Sequence, residues 1–150
     1  LSHIPGEDNS GKINTEKLEE WVQQAINLAE KKGGRNIVEY FIGKLLGHCQ
    51  NGEDGIWPCE GVRDLVEDIH SKNMIEGMYI EKRNSRGVTS RSFGDGGAQE
   101  WEIVEQYQDW SRQLAITHPF VADELLGQLA RSYQNEAEMW DNEHRLDMHL

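Results

Sequence analysis

The chain is poor in cysteine, short of cationic residues and without any long apolar run. Its two cysteines, Cys49 and Cys59, are too few for a disulfide framework, so both are expected as reduced thiols in a cytoplasmic protein. No apolar stretch approaches the ~18 residues that a membrane span needs, and the N-terminal segment lacks the basic-then-apolar layout of a signal peptide. Lysine and arginine number 15 against 27 aspartates and glutamates, giving a net charge of −12. Phosphate backbones and anionic membrane surfaces are held through cationic side chains, which argues against nucleic acid and membrane as partners. The acidity reads as a source of solubility. The chain starts at Leu1 rather than Met, which suggests a piece cut from a longer polypeptide, or a processed product.

What is present is a globular composition. Of 150 residues, 37% are hydrophobic and 28% charged, which fits one ordered domain rather than a disordered chain. A domain of this size buries roughly 70% of its unfolded surface and needs no staple. Residues 1–13 are polar, carry Pro5, Gly6 and Gly11, and read as an N-terminal arm. Residues 14–146 read as a single helical domain, and 147–150 as a tail. The expected fold class is all-α, five to six helices in an orthogonal or bundle-like arrangement.

The helices follow from apolar spacing and caps. Asn14 or Thr15 starts the first, whose stripe is Leu18, Trp21, Val22, Ala25, Ile26 and Ala29. Gly33-Gly34 stops it. The second is expected over about Asn36 to Cys49, with Ile37, Phe41, Leu45 and Cys49 lining one side, Tyr40, Ile42 and Leu46 widening it, and Gly43 and Gly47 admitting a close neighbour. Pro58 suits the first turn of a third, with Val62, Leu65, Val66 and Ile69 inside. Residues 73–83 favour a fourth helix; the alternative is a hairpin near residues 78–93 around Asn84-Ser85-Arg86-Gly87. A fifth runs from about Ala98 to Ala115, apolar over nearly half its circumference. A sixth, long helix runs from about Pro119 to Arg145, and its acidic last turns, with Asp141 and Glu143, oppose the helix dipole. That end is expected to fray or to need an outside partner.

Four chemical readings fail on spacing or facing. Asp8-Asn9-Ser10-Gly11-Lys12-Ile13 resembles the middle of a calcium loop, but the opening aspartate and closing glutamate are absent. His48, Cys49, Cys59 and His70 lack any paired zinc spacing. Glu67 and His70 have the Glu-x-x-His spacing of a di-metal bundle, yet Glu67 falls about 150° from its helix's apolar stripe and is expected in solvent. No nucleophile elbow, HExxH pair or phosphate loop occurs. No metal and no cofactor is expected, and the chain reads as a non-enzyme. The carboxylates Glu100, Glu102 and Glu105 read as a solvated helix face, and Glu136 as snorkelling or paired with an arginine.

Two glycine-rich loops remain as candidate sites, since fixed loops on a helical scaffold often carry function. In the second loop Arg83, Arg86 and Arg91 surround Asp95, Gly96 and Gly97 at the start of the fifth helix. Free N–H groups there, with arginine, suit a small anion or nucleotide-like ligand. The plainer alternative has Asp95 capping the helix and the arginines pairing with surplus carboxylates. In the first loop Trp57, Pro58 and Arg63 suit a protein-partner surface, or else Trp57 is a plug packing the loop onto the core with Arg63 near it.

Residues from these loops and helices carry a resemblance. They include Ile4-Pro5-Gly6-Glu7-Asp8, Gly11-Lys12-Ile13 before Trp21-Val22, and Ile42-Gly43 with Leu46-Gly47-His48. Trp57-Pro58 with Val62-Arg63-Asp64, Asn84-Ser85-Arg86-Gly87-Val88 and Asp95-Gly96-Gly97-Ala98-Gln99-Glu100 complete them. Together they cover nearly the whole chain, which resembles a helical domain of the C-terminal region of large bacterial proteins of uncharacterised function. The resemblance implies no activity and no cofactor. It implies a non-catalytic accessory or interaction domain whose partner is the remainder of a longer parent polypeptide.

Overall fold

Six α-helices form among the described residues, the first and fourth of them behind a side-chain cap. The computed structural model describes residues 3–86 and 95–148. The order is α1 (Thr15–Lys31), α2 (Arg35–Leu46), α3 (Glu60–Ile69), α4 (Lys72–Asn84), α5 (Ala98–Leu114) and α6 (Gln128–Met148), the last entered through a π-helical segment, Val121–Gly127. The described residues contain no strand, only an isolated antiparallel bridge between Glu7 and Ile13. Asn14 caps α1, its side chain accepting from the Lys17 N–H at 3.1 Å. Ser71 caps α4 by accepting from the Met74 N–H at 3.1 Å. Each satisfies a donor that a bare helix start would leave open.

The segment read as an arm is folded onto the body. Ile4 and Ile13 are buried in the core, and the Asn14 N–H donates to the Gly6 carbonyl at 2.9 Å. Asp8 closes its turn by accepting from the Ser10 and Lys12 N–H groups at 2.8 and 3.0 Å.

The α2–α4 pair is the most intimate crossing. A Cβ on Gly43 would overlap the Met74 carbonyl, and one on Gly77 would overlap the Tyr40 carbonyl, so the two backbones touch at both glycines. The close approach expected at Gly43 is therefore present. The facing of α2 is as expected for Ile42 and Leu46 but not for Ile37 and Phe41. Its buried residues are Glu39, Ile42, Gly43 and Leu46, while Ile37 and Phe41 stand 64% and 59% exposed. The close seam required the glycine face, and the larger apolar side chains were left on the outside.

Helix α4 extends through Asn84, so the residues assigned to the first strand of the alternative hairpin are helical. The second, 88–93, lies outside the described residues. α5 packs against α6 and the π-helical segment, burying Val104, Tyr107 and Leu114. The long helix expected from Pro119 begins with seven residues of wider winding, Val121–Gly127, before α6. The Ser111 hydroxyl donates to the Ala122 carbonyl there at 2.8 Å.

Glu67 corrects an expectation. It is half-buried rather than solvent-facing, and its two oxygens accept from the Phe120 and Val121 N–H groups at 3.0 Å each. A carboxylate off the stripe of α3 thereby caps the start of the π-helical segment, a place the helix dipole favours for negative charge.

Candidate functional site

The loop between α2 and α3 is tied from within. The Gly52 N–H donates to the Ile56 carbonyl at 2.8 Å, and the Gly55 N–H to the Gly52 carbonyl at 3.0 Å. Gly55 has a φ of +80°, the left-handed conformation that favours glycine. Trp57 is fully buried, and its indole N–H donates to the Cys49 carbonyl at 3.0 Å. The Trp57–Pro58 peptide is cis. The Lys82 ammonium stands 4.6 Å from the centre of the Trp57 ring.

Arg63 reaches back under this loop from α3. Its Nε donates to the Pro58 carbonyl at 2.9 Å, and Nη2 to the Ile56 carbonyl at 2.8 Å. Both Nη atoms hold Asp54, at 2.8 and 3.1 Å, in a fork-to-carboxylate pair. Hydrogen bonding from Arg63 holds the Asp54 carboxyl below its ordinary range. Trp57, Pro58 and Arg63 were the expected partner surface, and burial withdraws all three from it. Trp57 is the plug of the alternative reading, because its indole fills the core beneath the loop. Arg63 is spent on backbone carbonyls of the same loop.

The second expected site assembles around the start of α5, and carboxylates of the chain fill it. Arg86 donates to Glu100 at 2.6 Å and to Glu136 at 3.4 Å. Arg83 donates to Glu136 at 3.0 Å, with its guanidinium 4.1 Å from the centre of the Tyr133 ring. Glu100 is 0% exposed, which overturns its reading as part of a solvated face. Burial of a carboxylate is tolerated because the guanidinium is beside it. The pairing expected for Glu136 is present.

The helix start itself is occupied too. Gly97 is the N-cap of α5, and its N–H donates to Asp141 Oδ1 of α6 at 2.7 Å. The Trp101 indole N–H donates to Asp141 Oδ2 at 2.8 Å. These two bonds, Trp101 first, hold the Asp141 carboxyl below its ordinary range. Gly96 has a φ of +53°, and a Cβ on Gly97 would overlap the Ala137 carbonyl, so glycine lets α6 press against this corner. Asp141 was expected at a frayed end needing an outside partner. It is instead the partner of α5, placed where a bound anion would sit. The Asp95 carbonyl accepts from the Ala98 N–H at 3.0 Å. Arg91 lies outside the described residues.

The histidines weighed for zinc are engaged elsewhere. His48 pairs with Glu81 at 3.0 Å, the His70 ring stacks on Phe120 at 4.1 Å, and both cysteines are in the core. Among the described residues, no group of three or more histidines, cysteines and carboxylates is placed to hold a metal ion. No described helix is long and apolar enough to cross a membrane.

Sequence reasoning missed the outer face of α2. Ile37 and Phe41 lie one turn apart there, with Lys44 about 6 Å from the Phe41 ring centre. On α1, Leu28 is exposed and Trp21, seven residues earlier on the same side, partly so. Gly43 within α2 and Gly47 at its C-cap were the available signal, since a helix that uses a glycine for contact turns its neighbouring apolar residues away. No family model, curated protein or solved structure matches the chain.

Proposed function

We propose that the chain is a non-catalytic helical interaction module within a longer, cytoplasmic bacterial polypeptide, and that it docks through the outer face of α2. The observation that carries this reading is the exposure of Ile37 and Phe41 on a helix whose opposite face is locked to α4. Two large apolar residues one turn apart form the anchor pattern by which a helix engages an apolar groove or a second amphipathic helix. The net charge of −12 favours a partner whose apolar strip is flanked by lysine and arginine. The anion-binding alternative is weaker, because Glu100, Glu136 and Asp141 already take the positions a ligand's negative charge would need.

The test uses the rest of the parent polypeptide, expressed separately and titrated with this chain. Ile37→Ser with Phe41→Ser should weaken binding by roughly tenfold or more, the scale of losing apolar anchors at an interface. Circular dichroism and the urea midpoint should stay close to those of the parent chain, since both residues are exposed. Unchanged affinity in the double variant would remove the α2 face from the reading.

A further inference from the structure

Three separately anchored pieces meet around a polar cleft of about 480 Å³. One wall is the N-terminal turn at 10–13, fixed by Asp8 and by the buried Ile13. Facing it is the loop at 50–53, whose Gly52 N–H is tied to the Ile56 carbonyl. The third piece is the first turn of α3, where a Cβ on Gly61 would come within 3.2 Å of the Thr15 hydroxyl. Ile13, Cys59 and Gly61 are buried and form a floor without charge beneath polar walls. A preformed cavity of this size, apolar at its base with a few polar groups above, has the make-up of a small-ligand site. None of its residues belongs to α2, so the cleft is separate from the docking face on that helix.

Two polar side chains in the cleft are held in place without being fully paired. The Glu60 carboxylate lies over Gly52, in space that a Cβ would fill, and one of its oxygens accepts from the Glu53 N–H at 3.0 Å. Among the described residues its other oxygen accepts no hydrogen bond, and no lysine or arginine stands within ion-pair distance of it. Glu39, Glu100 and Glu136 differ, each being paired with an arginine. The Gln50 amide lies against Gly11 as Glu60 lies against Gly52, and it makes no hydrogen bond among the described residues. Asn51 donates to the Gly55 carbonyl at 3.1 Å, which leaves its side-chain oxygen as an acceptor.

We propose that this cleft binds the basic side chain, lysine or arginine, of a peptide segment. Its cation pairs with Glu60, its methylene stem lies on Ile13, and Gln50 and Asn51 hydrogen-bond its main chain. The charges that line the cleft are one ammonium, Lys12, against two carboxylates, Glu53 and Glu60. Lys12 and Glu53 offset each other at the rim, 3.6 Å apart and both well exposed, so Glu60 is the unmatched charge. An anion fits the cleft poorly, because the carboxylates outnumber Lys12 and the net charge of −12 adds to the repulsion.

The experiment follows the backbone amide signals of the full chain by NMR while Nα-acetyl-lysine methylamide is added at low salt. Gly11, Gly52 and Gly61 should shift together with one dissociation constant. Acetylating the ligand's ε-amine, which needs no variant of the protein, should weaken binding by about tenfold or more. Glu60→Gln should do the same while keeping an oxygen for the Glu53 N–H. Glu20→Gln, at an exposed position of α1 outside the cleft, should change binding by less than about twofold. Lys12→Ala removes a like charge and should tighten binding by about two- to threefold, where an anion site would be weakened. Butylamine, the bare stem and amine, should bind about fivefold more weakly than the capped lysine, for want of a main chain to hydrogen-bond. Equal binding of butylamine would assign the cleft to free amines and overturn the peptide ligand. Equal losses in Glu60→Gln and Glu20→Gln, no loss on ε-acetylation, or no shift at about 10 mM ligand, tenfold above a ~1 mM dissociation constant, would each overturn the site.

Discussion

Arg63 and Arg86 are both drawn in from solvent, and they are held in opposite ways. Every partner of Arg63 lies within nine residues: two backbone carbonyls and the Asp54 carboxylate, all of one loop. The partners of Arg86 are carboxylates 14 and 50 residues away, on α5 and α6. The first arginine shapes a loop; the second fastens separate helices. The difference teaches which of the two is replaceable. A carboxylate partner can be exchanged together with its arginine, and the site made apolar. A backbone carbonyl stays in the loop whatever side chain faces it, and so keeps needing a donor.

The largest effect should come from Arg63→Met, which leaves the buried Pro58 carbonyl without a donor and takes one of two donors from the Ile56 carbonyl and the Arg63 fork from Asp54, and should cost about 3–4 kcal/mol. Urea denaturation measures it, and no second substitution at Asp54 should restore the loss. Arg86→Met alone should cost about 3 kcal/mol by leaving buried Glu100 without its guanidinium. Adding Glu100→Leu should recover most of that, since Glu136 keeps Arg83. A double variant as unstable as the single one would erase the contrast between the two arginines.

A smaller effect sharpens the long-range side of the comparison. Asp141→Asn removes the charge that α6 offers to the start of α5 and should cost about 1 kcal/mol, the usual worth of a cap. Because the folded carboxyl is held below its ordinary 3.8, its contribution is complete above that value and is lost as pH falls through the depressed one. The difference between wild type and Asp141→Asn should therefore shrink to nothing in acid, which urea midpoints across a pH series would show. The smallest effect belongs at the loop's rim. The Lys12–Glu53 pair is exposed on both sides, so Lys12→Ala should change stability by under about 0.5 kcal/mol, and salt should abolish even that.

Helix existence was readable in the chain because caps and stripes are local signals. Asn14 before the Leu18, Val22, Ile26 stripe and the start at Ala98 are cases in point. Facing was harder where a carboxylate or a glycine belongs to the buried side. Glu39, Ile42, Gly43 and Leu46 keep the spacing of a buried face, but a charge and a glycine hide it behind the greasier Ile37 and Phe41. Glu39 is affordable there because Ser71 and Arg35 donate to it at 2.9 and 2.8 Å. Glu100 likewise shares a stripe with Val104 and Tyr107. Its burial rests on Arg86, a residue no helical period on α5 reveals. The work of Arg63 was unreadable for another reason: carbonyls are the same in every residue and leave no mark in the sequence. The plug reading of Trp57 was available, since a tryptophan in a tight loop has few other places to put its ring.

The glycine seam between α2 and α4 carries one more consequence. Side chains between helices act as cushions that re-seat by turning a rotamer, but at Gly43 and Gly77 main chain rests on main chain. Such a joint has no slack to take up. A push delivered to Phe41 on the outer side of α2 reaches α4 undamped, so the two helices answer a load as one beam.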